Sequence, residues 1–187
     1  MQFARYILSA VAVLVGAPAS AVVVEQSEAA FVITLERSAP GTPADAWREL
    51  IVPSGWWSSD HTWSGDAANM TIEAKAGGCF CERLPANSAG AGSVEHMRVI
   101  HAAPATLLRM VGGLGPLQSE PATGVLSISL RPDGAGTRLT WNYAVSGVIG
   151  SKVSDLAPQV DRVLQRQLDS LALHLGRRAG AGLSSRP

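Results

Sequence analysis

The sequence carries no excess of charge of either sign. Fifteen basic residues balance fifteen acidic ones in 187, and the sequence pI is near 6.9. Nucleic acid and anionic membrane surfaces both demand a concentrated positive field, so neither is expected as a partner. No repeat of fixed period is present. No apolar run reaches the roughly 20 residues that a bilayer crossing needs, so no permanent membrane anchor is expected. Gly112-Gly113-Leu114-Gly115 has no helix after it and does not make a nucleotide-binding loop, and neither a nucleophile elbow nor a Cys-x-x-Cys pair occurs. No cofactor is expected. Cysteine is scarce too: Cys79 and Cys81 are the two in the chain. In a regular strand, residues two apart hold their Cβ atoms roughly 6.5–7 Å apart, whereas a disulfide wants about 3.5–4.5 Å. The expectation is two small, half-buried thiols that are not bonded to each other.

What is present starts with a segment built for export. Arg5 supplies a positive charge, residues 7–15 are apolar, and Ala19-Ser20-Ala21 closes the segment with small residues of a cleavage site. No cysteine follows the apolar zone, so a lipid anchor has no attachment point. The expectation is a periplasmic or secreted protein with its signal peptide (residues 1–21) removed after Ala21. Residues 22–177 then form one domain, long enough to fold on a hydrophobic core alone, and residues 178–187 form a disordered tail.

Alternation and helical spacing order the rest. Residues 30–36 put Phe31, Ile33 and Leu35 on one face of a first strand. Thr42 suits an N-cap and Pro43 a first helical position, and Ala46, Trp47, Leu50 and Ile51 follow at helical spacing. Residues 56–63 hold three tryptophans without a clean period and read as a second short helix or a structured loop. An antiparallel meander follows, with strands at 70–75, 79–84, 94–100, 107–111, 123–130 and 138–145. In its last hairpin, pairing Ile128 with Leu139 sets Leu126 against Trp141, with Leu130 and Tyr143 on the same inner face. Leu156, Val160, Val163, Leu164, Leu168, Leu171 and Leu175 then form a broad apolar stripe on a long helix that Gly176 is expected to end. A sheet with one apolar face and a helix with one apolar stripe cover each other. The fold class is α+β, a curved antiparallel sheet wrapped around the C-terminal helix, with two short helices after the first strand.

The element order resembles the helix-grip fold of the SRPBCC superfamily, which includes START domains, polyketide cyclases and pollen-allergen proteins. Pro43-Ala44-Asp45-Ala46-Trp47, Trp56-Trp57, Gly77-Gly78-Cys79-Phe80-Cys81-Glu82, Glu95-His96-Met97-Arg98-Val99-Ile100 and Thr137-Arg138-Leu139-Thr140-Trp141 are similar to stretches of its branch of heat-shock-protein ATPase-activator homologues. The resemblance spans about residues 28–176. It implies a hydrophobic cavity between sheet and terminal helix that binds a small apolar molecule or lipid, and in some members supports cyclisation. Export departs from a cytosolic co-chaperone role.

The strand pair 79–84 and 94–100, joined as a hairpin around Ser88, sets Cys81 beside His96 and Glu82 beside Glu95. Phe80, Glu82, Leu84, Glu95, Met97 and Val99 then share the more apolar, inward face. Two opposed carboxylates on that face would raise the pKa of one of them, the arrangement of an acid/base pair. Solvation at the cavity mouth, or pairing with Arg109, is the plainer alternative. Cys79, Cys81 and His96 on the other face are residue types that ligate soft metals, but as three ligands on a flat strand pair they make an incomplete site, and no metal is expected. The expected ligand-binding set is Trp56, Trp57, His61 and Trp63 at the mouth, Phe80, Met97, Leu126 and Tyr143 along the wall, and Glu82 and Glu95 orienting a polar end. Three functions remain open: a binding protein, a cyclase- or hydrolase-type enzyme using a cavity carboxylate, and an interaction module with a filled core. Oligomeric state is open too.

Overall fold

The computed structural model describes the backbone of residues 22–184 and the side chains of residues 27–181; the expected signal segment and the last three residues lie outside the described residues. Among the described residues, eight antiparallel strands form one sheet in the order β1-β2-β8-β7-β6-β5-β4-β3. They are β1 (Val22–Gln26), β2 (Ala30–Pro40), β3 (Met70–Ile72), β4 (Cys79–Asn87), β5 (Gly90–Ala103), β6 (Leu107–Gly112), β7 (Ala122–Asp133) and β8 (Gly136–Gly147). Between β2 and β3 come helix α1 (Pro43–Leu50) and three single 3₁₀ turns, and helix α2 (Val153–Ser184) ends the chain. β1, which adds an edge to β2, has no counterpart among the expected strands.

Alternation decides which face of the sheet is covered. Phe31, Ile33 and Leu35 of β2, Leu126, Ile128 and Leu130 of β7, and Leu139, Trp141, Tyr143 and Val145 of β8 all point into the core and are buried. Their pairing is two residues away from the expected one: Ile128 faces Trp141, Leu126 faces Tyr143 and Leu130 faces Leu139. An offset of two keeps every side chain on its face, because the strand period is two. The hairpin is tighter than the sequence implies. Asp133 pairs with Gly136, and Gly134 takes the left-handed turn position with φ 59°.

Helix α1 begins as its sequence requires. The Thr42 hydroxyl accepts from the Asp45 N–H, the Asp45 carboxylate accepts from the Thr42 N–H, and Pro43 fills the first turn. Its Ala46, Trp47 and Leu50 enter the core. Helix α2 buries Leu164, Leu168, Leu171 and Leu175 against the sheet and keeps Arg162 and Arg166 exposed, while Asp161 and Asp169 are half-buried. Arg37 of β2 binds Asp169 at 2.6 Å, and Glu49 of α1 accepts from His174 at 2.7 Å and Arg178 at 3.1 Å. Pro158 lies inside the helix near its start, and the helix runs past Gly176 to Ser184. This is the helix-grip arrangement. Among the described residues no helix is long and apolar enough to cross a membrane.

The regular pattern fails between β4 and β5. Cys79–Arg98 and Phe80–Met97 pair as expected, but the next pairs are Cys81–Glu95 and Glu82–Val94, which leaves His96 as an extra residue in β5. The bulge turns His96 inward and Glu95 outward, so the inward Glu82–Glu95 pair does not form. Glu95 instead sits outside, within 2.6 Å of the Arg98 guanidinium. The cysteines also differ from the expectation, because the strand between them departs from ideal extension. The Cα atoms of Cys79 and Cys81 come to 5.3 Å, within the range a bridge spans, and the two are joined as a disulfide.

Candidate functional site

The hollow lies beneath the first half of α2, at the end of the sheet where β5 bulges. It measures about 290 Å³. Trp57, Leu114, Leu156, Val160, Val163 and Leu164 make it apolar, and His61, Thr62, Trp63, Gln159 and His96 add polar edges. None of its wall residues carries a fixed charge. Its dimensions fall at the small end of ligand pockets, which run from about 300 Å³ upward.

Three of the expected binding residues form the wall: Trp57, His61 and Trp63. Trp63 is 57 % exposed and stands at the opening. Trp56 does not line the hollow. Its indole N–H donates to the carbonyl oxygens of Glu49 and Leu50, and its ring meets those of Trp57 and Trp141 edge-on at 5.5 and 5.9 Å. Phe80 sits one layer behind, with its ring centre 5.2 Å from Trp57 and 5.3 Å from His96. Met97, Leu126 and Tyr143 belong to the packed core rather than to the wall. Tyr143 acts on the site at one remove. Its hydroxyl donates to the Gly112 carbonyl and accepts from the N–H of Leu114, a wall residue. Burial raises its pKa to about 12, so it stays a neutral donor. The Tyr143 ring lies over Gly124, where a Cβ would come within 2.3–2.5 Å of it.

Glu82 is 1 % exposed and ionised. Burial works against its charge, but the Ser64 and Trp63 backbone N–H groups and the His96 ring donate to it and hold its pKa below the ordinary carboxylate value. The carboxylate therefore ties the loop bearing Trp63 to β4, and it is not itself part of the cavity wall. His96, 5 % exposed, places Nε2 at 2.9 Å from Glu82. Burial lowers its pKa more than Glu82 raises it, so the ring is neutral. An ionised carboxylate only accepts, so His96 Nε2 bears the hydrogen and Nδ1 is the bare nitrogen. His96 borders an open groove of about 400 Å³ as well, with Glu95 and Gln118 on its rim.

His61 is oriented by a second chain of bonds. The Ser58 N–H can only donate, so the Gln167 atom it meets at 2.9 Å is the amide oxygen. The Gln167 NH₂ group then donates to His61 Nδ1 at 2.8 Å. Burial and the neighbouring Arg166 charge lower the His61 pKa against the pull of Asp60, which fits a neutral ring with hydrogen on Nε2. Gln167 is fully buried although its neighbours along the stripe are leucines. Its one signal in the sequence is a glutamine between Leu164 and Leu168 on a buried helix face, which the apolar stripe alone does not single out.

Elsewhere, Cys79, Cys81 and Glu95 bring ligand atoms within 4.8 Å of one another. The two sulfurs are bonded to each other and Glu95 is held by Arg98, while His96 has turned away to the inside. The arrangement is a surface bridge rather than a metal centre.

No protein-family model matches the sequence, and no curated protein matches it. Solved structures do. An uncharacterized protein from Rhizobium leguminosarum aligns with a TM-score of 0.57 at 19 % identity over 79 % of this chain and 95 % of its own. Ara h 8.0201 aligns at 0.55 and 10 % identity, over 78 % of this chain and 97 % of its own. DynU16, a protein of the dynemicin biosynthetic locus, aligns at 0.50 and 18 %, over 77 % of this chain and 46 % of its own. Likeness at such identities establishes the helix-grip fold, and function rests on the site.

Proposed function

We propose that this protein is an exported binding protein that holds one small apolar or amphipathic molecule under the N-terminal half of α2. The observation that carries the reading is the uncharged hollow of about 290 Å³ between α2 and the tryptophan loop. A guest packed at the density of protein interiors fills about three-quarters of such a space. That suits a fused-ring or short-chain molecule better than a two-chain lipid. The cyclase-type alternative needs a carboxylate in the cavity, and Glu82 is occupied by three donors behind the wall. An interaction module with a filled core fits less well, because the hollow is there.

Export rests on residues 1–21 and is supported by the Cys79–Cys81 disulfide, a bond that persists in oxidising compartments. Native mass spectrometry of protein purified from its own host tests both parts. The expected species starts at Val22 and carries a small neutral adduct lost on gentle activation. A chain starting at Met1 removes the export reading. The binding reading falls if no adduct is found and no member of an apolar compound library shifts the melting temperature.

A further inference from the structure

Resting on the binding reading above, we infer that His61 and His96 form a donor–acceptor pair selecting a neutral hydroxyl-bearing guest over a bare hydrocarbon or a charged one. Each ring has one nitrogen already committed. His61 spends Nδ1 as acceptor for the Gln167 amide, whose direction the Ser58 N–H fixes. Its remaining polar atom is Nε2–H, a donor. His96 spends Nε2–H on the Glu82 carboxylate, whose charge the Trp63 and Ser64 N–H groups hold in place. Its remaining polar atom is Nδ1, an acceptor. Both rings line the same hollow, and among the described residues no bond is formed by either remaining atom.

A hydroxyl group is the smallest function that can accept from one ring and donate to the other. A carboxylate accepts only and would face bare Nδ1 with a lone pair. An ammonium donates only and would face Nε2–H. Either would also enter a wall without a countercharge, which is costly in an apolar site. The rest of the wall, with Trp57, Val160, Val163 and Leu164, takes the apolar body. The two rings are held from behind by groups outside the wall, Gln167 and Glu82, so their directions are set before a guest arrives.

Calorimetry with four probes of one shape tests this: 2-naphthol, naphthalene, 2-naphthoate and 2-naphthylmethylammonium, each titrated into the full mature chain at pH 7.5. Naphthol is expected to bind about ten-fold or more tightly than each of the others, the worth of one or two hydrogen bonds. In the His61→Phe variant its advantage over naphthalene is expected to drop to about three-fold or less. His96 variants disturb the Glu82 brace, so the second arm uses the unaltered protein. In ¹⁵N spectra of the histidine rings, naphthol is expected to move His61 Nε2 and His96 Nδ1, and naphthalene to leave both in place. Equal affinity for naphthol and naphthalene, or tightest binding of a charged probe, overturns the inference and leaves the binding reading standing. Failure of all four probes to bind overturns the inference, and together with a native mass spectrum free of any adduct it overturns the binding reading too.

Discussion

Two hairpins of this sheet share their architecture and differ in regularity. β7 and β8 pair without a break from Ala122–Gly147 to Asp133–Gly136, and their inward side chains fill the core. β4 and β5 begin in the same way and then lose register at His96, and the hollow lies beside that break. Regular alternation delivers apolar side chains to one face, which makes a solid interior. A bulge delivers two consecutive residues inward, here His96 and Met97, and one of them is polar. A polar residue in such a place needs a partner, which Glu82 supplies. The sheet's solid part and the part that borders the hollow are thus separated by one inserted residue.

The largest effect is expected in the regular hairpin. Trp141→Ala removes a fully buried ring from the middle of β8, and chemical denaturation should show a loss of about 4 kcal/mol. An unchanged midpoint would mean that this region is not the solid one.

The irregular hairpin answers next. Glu82→Gln sets an amide NH₂ against backbone donors that previously shared a carboxylate, and should cost about 2–3 kcal/mol. Its pH dependence is the sharper test. The Glu82 pKa in the fold lies below its ordinary 4.5, so its stabilisation is present above that pH and is lost as pH falls through the folded value. The His96 pKa in the fold lies below its ordinary 6.5, so the preference for the neutral ring is also present above that pH and fades below it. Stability should therefore fall on acidification in two stages, first below 6.5 and then below 4.5. In Glu82→Gln the second stage should shrink. The first should reach further toward acid, because the partner that raises the His96 pKa is gone. Denaturation midpoints between pH 3 and pH 8 decide it, and identical profiles for the two proteins would refute the pairing.

Smaller effects follow. Reducing the Cys79–Cys81 bridge frees a loop of only a few residues and should cost no more than about 1.5 kcal/mol, with the Glu82–His96 pair intact. A collapse of the fold on reduction would show that the bridge, and not the bulge, organises this end. Trp63→Ala should shift stability by about 0.5 kcal/mol or less, since the ring is mostly exposed, while weakening guest affinity at the opening. Unchanged affinity would place the guest elsewhere.

How much of this was legible in the sequence follows the same division. Leu126, Ile128, Leu130, Leu139, Trp141 and Tyr143 alternate cleanly, and their common face is read from the period alone; the two-residue offset escapes notice because it preserves that face. Thr42 and Pro43 announce α1 with equal clarity. Glu95, His96 and Cys81 did not announce themselves, because a bulge has no signature in a period-two pattern. The expected arrangement still held a warning. Two carboxylates facing each other on a buried face repel, and turning His96 inward replaces that repulsion with a hydrogen bond. The loop of residues 56–63 has no period to read, and Trp57, His61, Thr62 and Trp63 reach the wall while Trp56 packs into the core. The deciding contacts, Trp56 to the Glu49 and Leu50 carbonyls and His61 to Gln167, join parts of the chain that no local pattern connects.

The five tryptophans offer the most direct measurement, because they sample both regions. Indole ¹H–¹⁵N signals recorded while 2-naphthol is titrated in should shift at Trp57 and Trp63, which border the hollow, and stay fixed at Trp47 and Trp141 in the packed interior. Movement of Trp141 with Trp57 and Trp63 unaffected would put the guest in the wrong half of the molecule and contradict the account.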